Sequence, residues 1–308
     1  MLGWIGCLKR VVESWLSQEP MMDPLMMARA MQTDTGPTRV LQPAYTIRLR
    51  PGKEEPVQAP PSHQAAGPHT LSWLGITDTG IVRDHNEDSY SILSFEDKAL
   101  FVVADGMGGH DSGEVASRIA AETVCSFVQK EYRQDGDLLA LLERAVQKAN
   151  SEVRQEGERR GSNMGTTLSA AIVSNEALYA ANVGDSRVYW IAGGSIFQIT
   201  ADHSLVAKLV LAGKLTKEEA RTHPRANLLY RTIGNDKTVK VDTFRFSLKE
   251  GGILLLCTDG LWGELSDEDI RETCTEEGDV KDTTAKLVQM ANERGGKDNI
   301  TAVVVKVV

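Results

Sequence analysis

The sequence predicts an α+β fold, antiparallel strands covered by helices, and three observations lead there. Ten runs rich in apolar and β-branched residues read as strands: 72–77, 89–94, 99–104, 167–174, 177–183, 186–192, 195–200, 239–248, 252–258 and 300–307. Four longer stretches, 112–133, 137–159, 266–275 and 280–294, repeat apolar residues at helical spacing and separate the strand groups, as covering layers do. Residues 178–191 hold two strands joined across Gly184-Asp185, a hairpin-like arrangement that favours antiparallel pairing.

The strands end alike. Ala99-Leu100-Phe101-Val102-Val103-Ala104 runs into Asp105-Gly106-Met107-Gly108-Gly109-His110, where the glycines read as a tight loop open to close backbone approach. Asp185 follows 178–183 across Gly184, Asp259 follows Ile253-Leu254-Leu255-Leu256-Cys257-Thr258, and Asp298 stands just before Asn299-Ile300-Thr301-Ala302-Val303-Val304-Val305. One such aspartate is an ordinary turn residue. Four at strand ends suggest converging carboxylates, which repel unless protons or cations neutralise them. Oxygen donors without a Cys or His cluster favour hard ions, magnesium or manganese rather than zinc.

Composition narrows the classes. With 308 residues and 41% apolar content, the chain suits one large domain or a domain plus an extension. Of the net charge of −9, residues 1–70 carry +1 and 71–308 carry −10, which argues against a phosphate-backbone partner, hence no nucleic acid. Cys7, Cys125, Cys257 and Cys274 are widely spaced, so neither a disulfide framework nor a zinc site is indicated, and a reduced, cytoplasmic setting is expected. No segment approaches the roughly 20 apolar residues of a transmembrane span.

Residues 1–70 form an extension. Trp4, Ile5, Leu8, Val11, Val12, Trp15 and Leu16 recur at helical steps, marking an amphipathic helix over 2–17 that lacks a signal-peptide cleavage site. It reads as a docking helix for a partner or membrane face, as a helix packed on the main domain, or as the product of a start codon placed too early. A proline-rich, aromatic-poor stretch follows to residue 70 and reads as a disordered linker, with Thr33, Thr35 and Thr38 as exposed kinase-accessible hydroxyls or as mere linker composition.

The folded region begins near Leu71. Arg83 stands four residues before the Glu87-Asp88 pair. Its planar fork suits a phosphate dianion, although on this stretch alone an exposed arginine pairing with its acidic neighbours is the better explanation. Arg83-x-x-Asn86-Glu87-Asp88-Ser89, Val102-Val103-Ala104-Asp105-Gly106-Met107-Gly108-Gly109-His110, Met164-Gly165-Thr166-Thr167, Asn182-Val183-Gly184-Asp185-Ser186-Arg187, Thr200-x-Asp202-His203-Ser204, Leu256-Cys257-Thr258-Asp259-Gly260-Leu261 and Lys297-Asp298-Asn299-Ile300-Thr301 follow in order across 71–308. This series resembles the metal-dependent serine/threonine protein phosphatases of type 2C, the PPM family, in their bacterial form.

The resemblance implies a four-layer α-β-β-α sandwich, two antiparallel sheets flanked by helices, over 71–308, with a flap insert at 204–235 beside the active site. It also implies hydrolysis of phosphoserine and phosphothreonine in proteins, in opposition to a bacterial Ser/Thr kinase, by a water bridging two Mn²⁺ or Mg²⁺ ions. Asp105, the carbonyl of Gly106, Asp259 and Asp298 would hold the ions, with Glu87 contacting one through water. Asp88 would orient bound water, and Arg83 would grip phosphate oxygens. Asp185 would serve a third, weaker ion.

Where some family members carry a histidine that protonates the leaving group, this chain has Met107, whose thioether donates no proton. His110 and His203 are the alternatives, each also readable as a structural hydrogen-bonding group. Arg187 reads as a tie to a carboxylate. Two rivals to the phosphoprotein phosphatase are a metal-bearing recruitment module with little turnover and a small-molecule phosphatase.

Overall fold

A computed structural model describes residues 46–47, 71–108, 112–174, 177–248 and 252–307. The helix expected at 2–17, the threonines at 33, 35 and 38, His110 and all of the proline-rich stretch except Thr46–Ile47 lie outside the described residues.

Twelve strands are present among the described residues. They are β1 (Thr46–Ile47), β2 (Leu71–Asp78), β3 (Asp88–Phe95), β4 (Lys98–Gly108), β5 (Met164–Thr166), β6 (Leu168–Val173), β7 (Ala177–Val183), β8 (Arg187–Ala192), β9 (Ser195–Gln198), β10 (Asp242–Ser247), β11 (Gly252–Cys257) and β12 (Ile300–Val307). One sheet runs β1-β2-β12-β11-β8-β9 and the other β10-β7-β6-β4-β3, with β5 paired to the end of β4. Every pairing is antiparallel except β1, which runs parallel to Gly75 and Ile76.

Alternation along the strands explains the layering, because successive side chains point to opposite faces. Phe101 and Val103 of β4, Leu254 and Leu256 of β11, and Val303, Val305 and Val307 of β12 share one core with Trp73 and Trp190 between the sheets. The intervening residues face outward under helices. Leu100 and Val102 pack with α1 (Ser112–Glu131) and α2 (Leu138–Arg160). Leu255, Cys257, Ala302 and Val304 pack with α6 (Asp267–Thr275) and α7 (Val280–Glu293). Strands buried on both faces therefore read as continuous apolar runs. The four layers are helices, sheet, sheet, helices.

The helix ends carry their own start and stop signals. Asp137 caps α2 by accepting from the N–H groups of Leu139 and Ala140, and Gly161 closes it in the left-handed conformation at φ 64°. Ser266 with Asp269, and Asp279 with the N–H groups of Lys281 and Asp282, start α6 and α7.

Three local features depart from the sequence expectation. The segment Asp105-Gly106-Met107-Gly108 continues β4 instead of forming a loop, paired through Gly106 and Thr166 to β5. A Cβ at Gly106 would lie 2.1 Å from Gly113 O and 2.5 Å from Glu87 O, so glycine admits protein backbone here. The strand expected at 167–174 breaks at Thr167, whose N–H and hydroxyl turn to the main chain of Asp105. Asp259 opens a short helix, α5 (Asp259–Trp262), directly behind β11.

Candidate active site

The inward-facing stripe of the sandwich turns polar at one end. On β3 and β4, Asp88 and Asp105 are direct cross-strand partners and continue the same faces as Tyr90 and Val103. Across from them, the inward stripes of β11, β12 and β2 end in Thr258, Thr301 and Thr77. Asp88 is 6% exposed, and its Oδ2 accepts from the hydroxyls of Thr258 and Thr301, both at 2.7 Å. Thr77 and Thr301 share a further hydroxyl bond of 2.8 Å.

Asp105 is fixed through its backbone. Its N–H donates to Thr167 Oγ1 at 2.9 Å, while its carbonyl accepts from Thr167 N–H and from Thr166 Oγ1, each at 2.8 Å. The side chain is thereby held at the inter-sheet end, within electrostatic reach of Asp259. Burial first, then the charges of Asp259, Asp88, Asp185 and Asp298, push the Asp105 carboxyl well above the ordinary range. Asp88 and Asp185 are raised in the same way, mainly by burial and then by Asp259 among others. Asp259 is pushed up to about 6, by burial and next by Asp298. The four strand-end aspartates foreseen from sequence therefore share one electrostatic neighbourhood.

Asp298 stands at the rim, 28% exposed at its side chain, where Oδ2 accepts from Arg83 Nη2 at 2.7 Å. Glu87 lies beside this pair, raised by burial and held down by Arg83 and by the N–H of Gly113 at the start of α1. Gly106 N–H donates to Glu87 O at 3.1 Å, so the glycine locks the Glu87 main chain beneath the metal-ligand candidates. Asn299 stitches the approach loop: its Oδ1 accepts from Glu87 N–H at 2.8 Å, and its Nδ2 donates to the carbonyls of Thr79 and His85 at 2.9 and 2.8 Å. Roles for Asn299, Thr258 and Thr301 were not foreseen, although period-two counting back from Val303 and Leu256 puts both threonines on the inner face.

Asp185 is 4% exposed and follows Gly184 at φ 106°, where a Cβ would lie 2.6 Å from Thr167 Cβ. The Asp185 carbonyl accepts from Trp262 Nε1 at 3.0 Å. Arg187 is the structural tie expected of it. Its Nη2 donates to Asp202 Oδ2 at 2.7 Å, and its guanidinium lies 3.6 Å from the Trp262 ring centroid. His203 is buried, and its Nδ1 accepts the Gly184 N–H at 3.0 Å while Nε2 pairs with Asp242 Oδ2 at 3.1 Å, so both ring nitrogens are engaged within the protein.

The donor set fits hard divalent cations. Asp259 Oδ1 is buried with no hydrogen-bond partner, and four carboxylates raised first by burial and then by one another's charge are a group that positive charge neutralises. Among the described residues, no three carboxylate, imidazole or thiol groups close into a ready cage. Ions that keep several waters and take only one or two carboxylates each match that openness. Beside this end lies a cleft of about 500 Å³, lined by Met107 and by flap residues including Tyr230, Arg231 and Asn235.

Comparison with known proteins agrees with this geometry. A protein phosphatase 2C family model matches residues 81–304. The serine/threonine phosphatase stp of Listeria innocua is 37% identical over 239 residues, covering 75% of this chain and 93% of the relative. The crystal structure of Stp1 from Staphylococcus aureus superposes with a TM-score of 0.73 at 35% identity, covering 80% of this chain and 99% of that one. The PstP catalytic domain in complex with two manganese ions gives a TM-score of 0.68 at 36% identity, covering 78% and 99%. Its sandwich, its carboxylate-lined end and these likenesses together place the chain in the protein phosphatase 2C family, as a serine/threonine protein phosphatase of bacterial type.

Proposed function

We propose that this phosphatase removes phosphate from phosphoserine and phosphothreonine in proteins in one hydrolytic step, using Mn²⁺ or Mg²⁺ held by Asp105, the Gly106 carbonyl, Asp259 and Asp298, with Asp185 serving a weaker position. The observation that carries the reading is the buried carboxylate group around Asp259, whose Oδ1 has no partner within the protein. The manganese-bound PstP domain, alike in fold, supports the choice of ion.

Bound there, a pair of divalent cations supplies a water activated for attack and positive charge for the phosphate oxygens. The rest falls to the chain itself. Thr258 and Thr301 hold Asp88 in one orientation, so its free oxygen presents a fixed acceptor to a water at the site. Arg83 is exposed and reaches Asp298, so its fork can swing to a phosphate at the same rim and offset the surrounding negative charge. Glu87, steadied by Gly113, offers a water-mediated contact beside Arg83 and Asp298. Met107 cannot protonate the leaving oxygen, and His203 is committed to Gly184.

The flap at 204–235 forms one wall of the cleft and helps select substrate. An opposing protein kinase and a docking partner for residues 1–70 complete the proposed setting. Steady-state hydrolysis of a phosphothreonine peptide with added Mn²⁺ tests the reading, with Asp259→Asn as the control. Activity on the peptide that is lost in the variant supports it. An inactive wild type indicates a recruitment module, and a preference for metabolite monoesters indicates a small-molecule enzyme.

A further inference from the structure

His203 is joined to the Gly184–Asp185 turn in both directions. Its N–H donates to Gly184 O at 2.9 Å, and its Nδ1 accepts Gly184 N–H at 3.0 Å. With Nδ1 an acceptor, the ring proton sits on Nε2, which donates to Asp242 Oδ2 at 3.1 Å. Arg231 Nη1 donates to Asp242 Oδ1 at 2.7 Å and lies 2.9 Å from Nε2, so its charge opposes a second ring proton.

The same histidine anchors the flap. Its carbonyl accepts from Tyr230 N–H at 3.0 Å, while Leu205 N–H donates to Leu228 O at 2.9 Å, so the start of the flap is paired with residues 228–230 next to His203. Arg231, at the flap's exit, also lines the cleft beside Met107. The turn it controls has little freedom of its own, since Gly184 is pressed against Thr167 and Asp185 O is held by Trp262.

We propose that His203 is a positioning residue: through its paired bonds with Gly184 it sets where the Asp185 carboxylate stands, and through Arg231 and Asp242 it ties that placement to the base of the flap. The inference rests on the reading of Asp185 as a cation ligand. Its consequence is that the weakest ion position and the flap are mechanically joined, a link that Asp105, Asp259 and Asp298 do not share.

The test uses the full-length chain. Calorimetric Mn²⁺ titration and amide hydrogen exchange of the metal-free protein at residues 183–186 are compared for wild type, Asp185→Asn, His203→Gln and His203→Asn. Outer partners of metal ligands typically contribute about 10- to 100-fold in affinity, so His203→Gln, which loses the acceptor for Gly184, should weaken the weakest Mn²⁺ site about tenfold or more and leave the tighter sites unchanged. Gly184 exchange should accelerate in parallel. His203→Asn, whose Oδ1 reaches the place of Nδ1, should recover most of both.

Unchanged Gly184 exchange and unchanged Mn²⁺ affinities in a folded His203→Gln variant overturn the proposal. If that variant does not fold, Asp242→Asn carries the same two measurements, and no change in either overturns it equally. If Asp185→Asn leaves every Mn²⁺ site intact, the ligand reading of Asp185 fails, while Gly184 exchange still decides whether His203 positions the turn.

Discussion

The carboxylate end of the sandwich and the flap beside it are built on opposite plans. At the sandwich end, Asp88, Thr258 and Thr301 are almost wholly shielded, and β4, β11 and β12 are buried along most of their length. In the flap, α3 (Leu205–Leu211) buries only Val206, α4 (Lys217–Arg221) buries nothing, and Leu211 is 83% exposed. A site that must hold repelling charges needs a scaffold that cannot yield. A wall that must admit varied protein substrates can be made of surface helices pinned at their base.

That contrast can be broken most severely at Asp259. Asp259→Asn should lower peptide hydrolysis by about 1000-fold or more, because it strips charge from the cation-binding group. The same change should stabilise the metal-free protein. The folded-state carboxyl of Asp259 is raised to about 6, so the fold holds its proton more tightly than the unfolded chain does. The contribution of Asp259 to metal-free stability should therefore be fully present below the ordinary carboxylate range and be lost as pH rises through about 6, a decline that thermal unfolding at several pH values should show to be shallower in the variant. A melting temperature that drops in Asp259→Asn would contradict the picture of strained carboxylates.

Gly106→Ala comes next. With backbone carbonyls 2.1 and 2.5 Å from the new Cβ, β4 and α1 must separate, for about 2 to 3 kcal/mol of stability by urea unfolding and a loss of Mn²⁺ affinity. Thr301→Val should act more gently. It removes one of two hydroxyl donors to Asp88, for about 1 to 2 kcal/mol, and should lower turnover with the fold intact. Leu211→Ser in the flap should change unfolding free energy by less than about 0.5 kcal/mol. If Leu211→Ser proved as costly as Thr301→Val, the division between rigid end and pinned flap would not hold.

Much of this architecture was legible in the chain. The apolar runs 99–104, 252–258 and 300–307 sit within a residue or two of β4, β11 and β12 except where β4 overruns, and the spacing at 137–159 and 280–294 matches α2 and α7. Asp185 and Asp259 stand just past strand ends and Asp298 just before one, as expected, whereas Asp105 lies within β4, which runs on to Gly108; the four influence one another electrostatically. The glycine at 106 is compatible with a loop and with close backbone contact in a strand, and only the neighbouring backbones of Gly113 and Glu87 decide between them. Thr258 was read only as a strand end. Its hydroxyl is diverted from capping α5 to bonding Asp88, a partner 170 positions away.

Local chemistry, then, determined which segments are strands and helices and where acidic residues fall at their ends, because periodicity and turn preference act over a few residues. Only the packed sandwich decided that four of those acids act on one another, that two threonines hold Asp88, and that His203 serves Gly184. Such pairings depend on strand order and register, which join residues far apart in the chain through contacts no short stretch of sequence encodes.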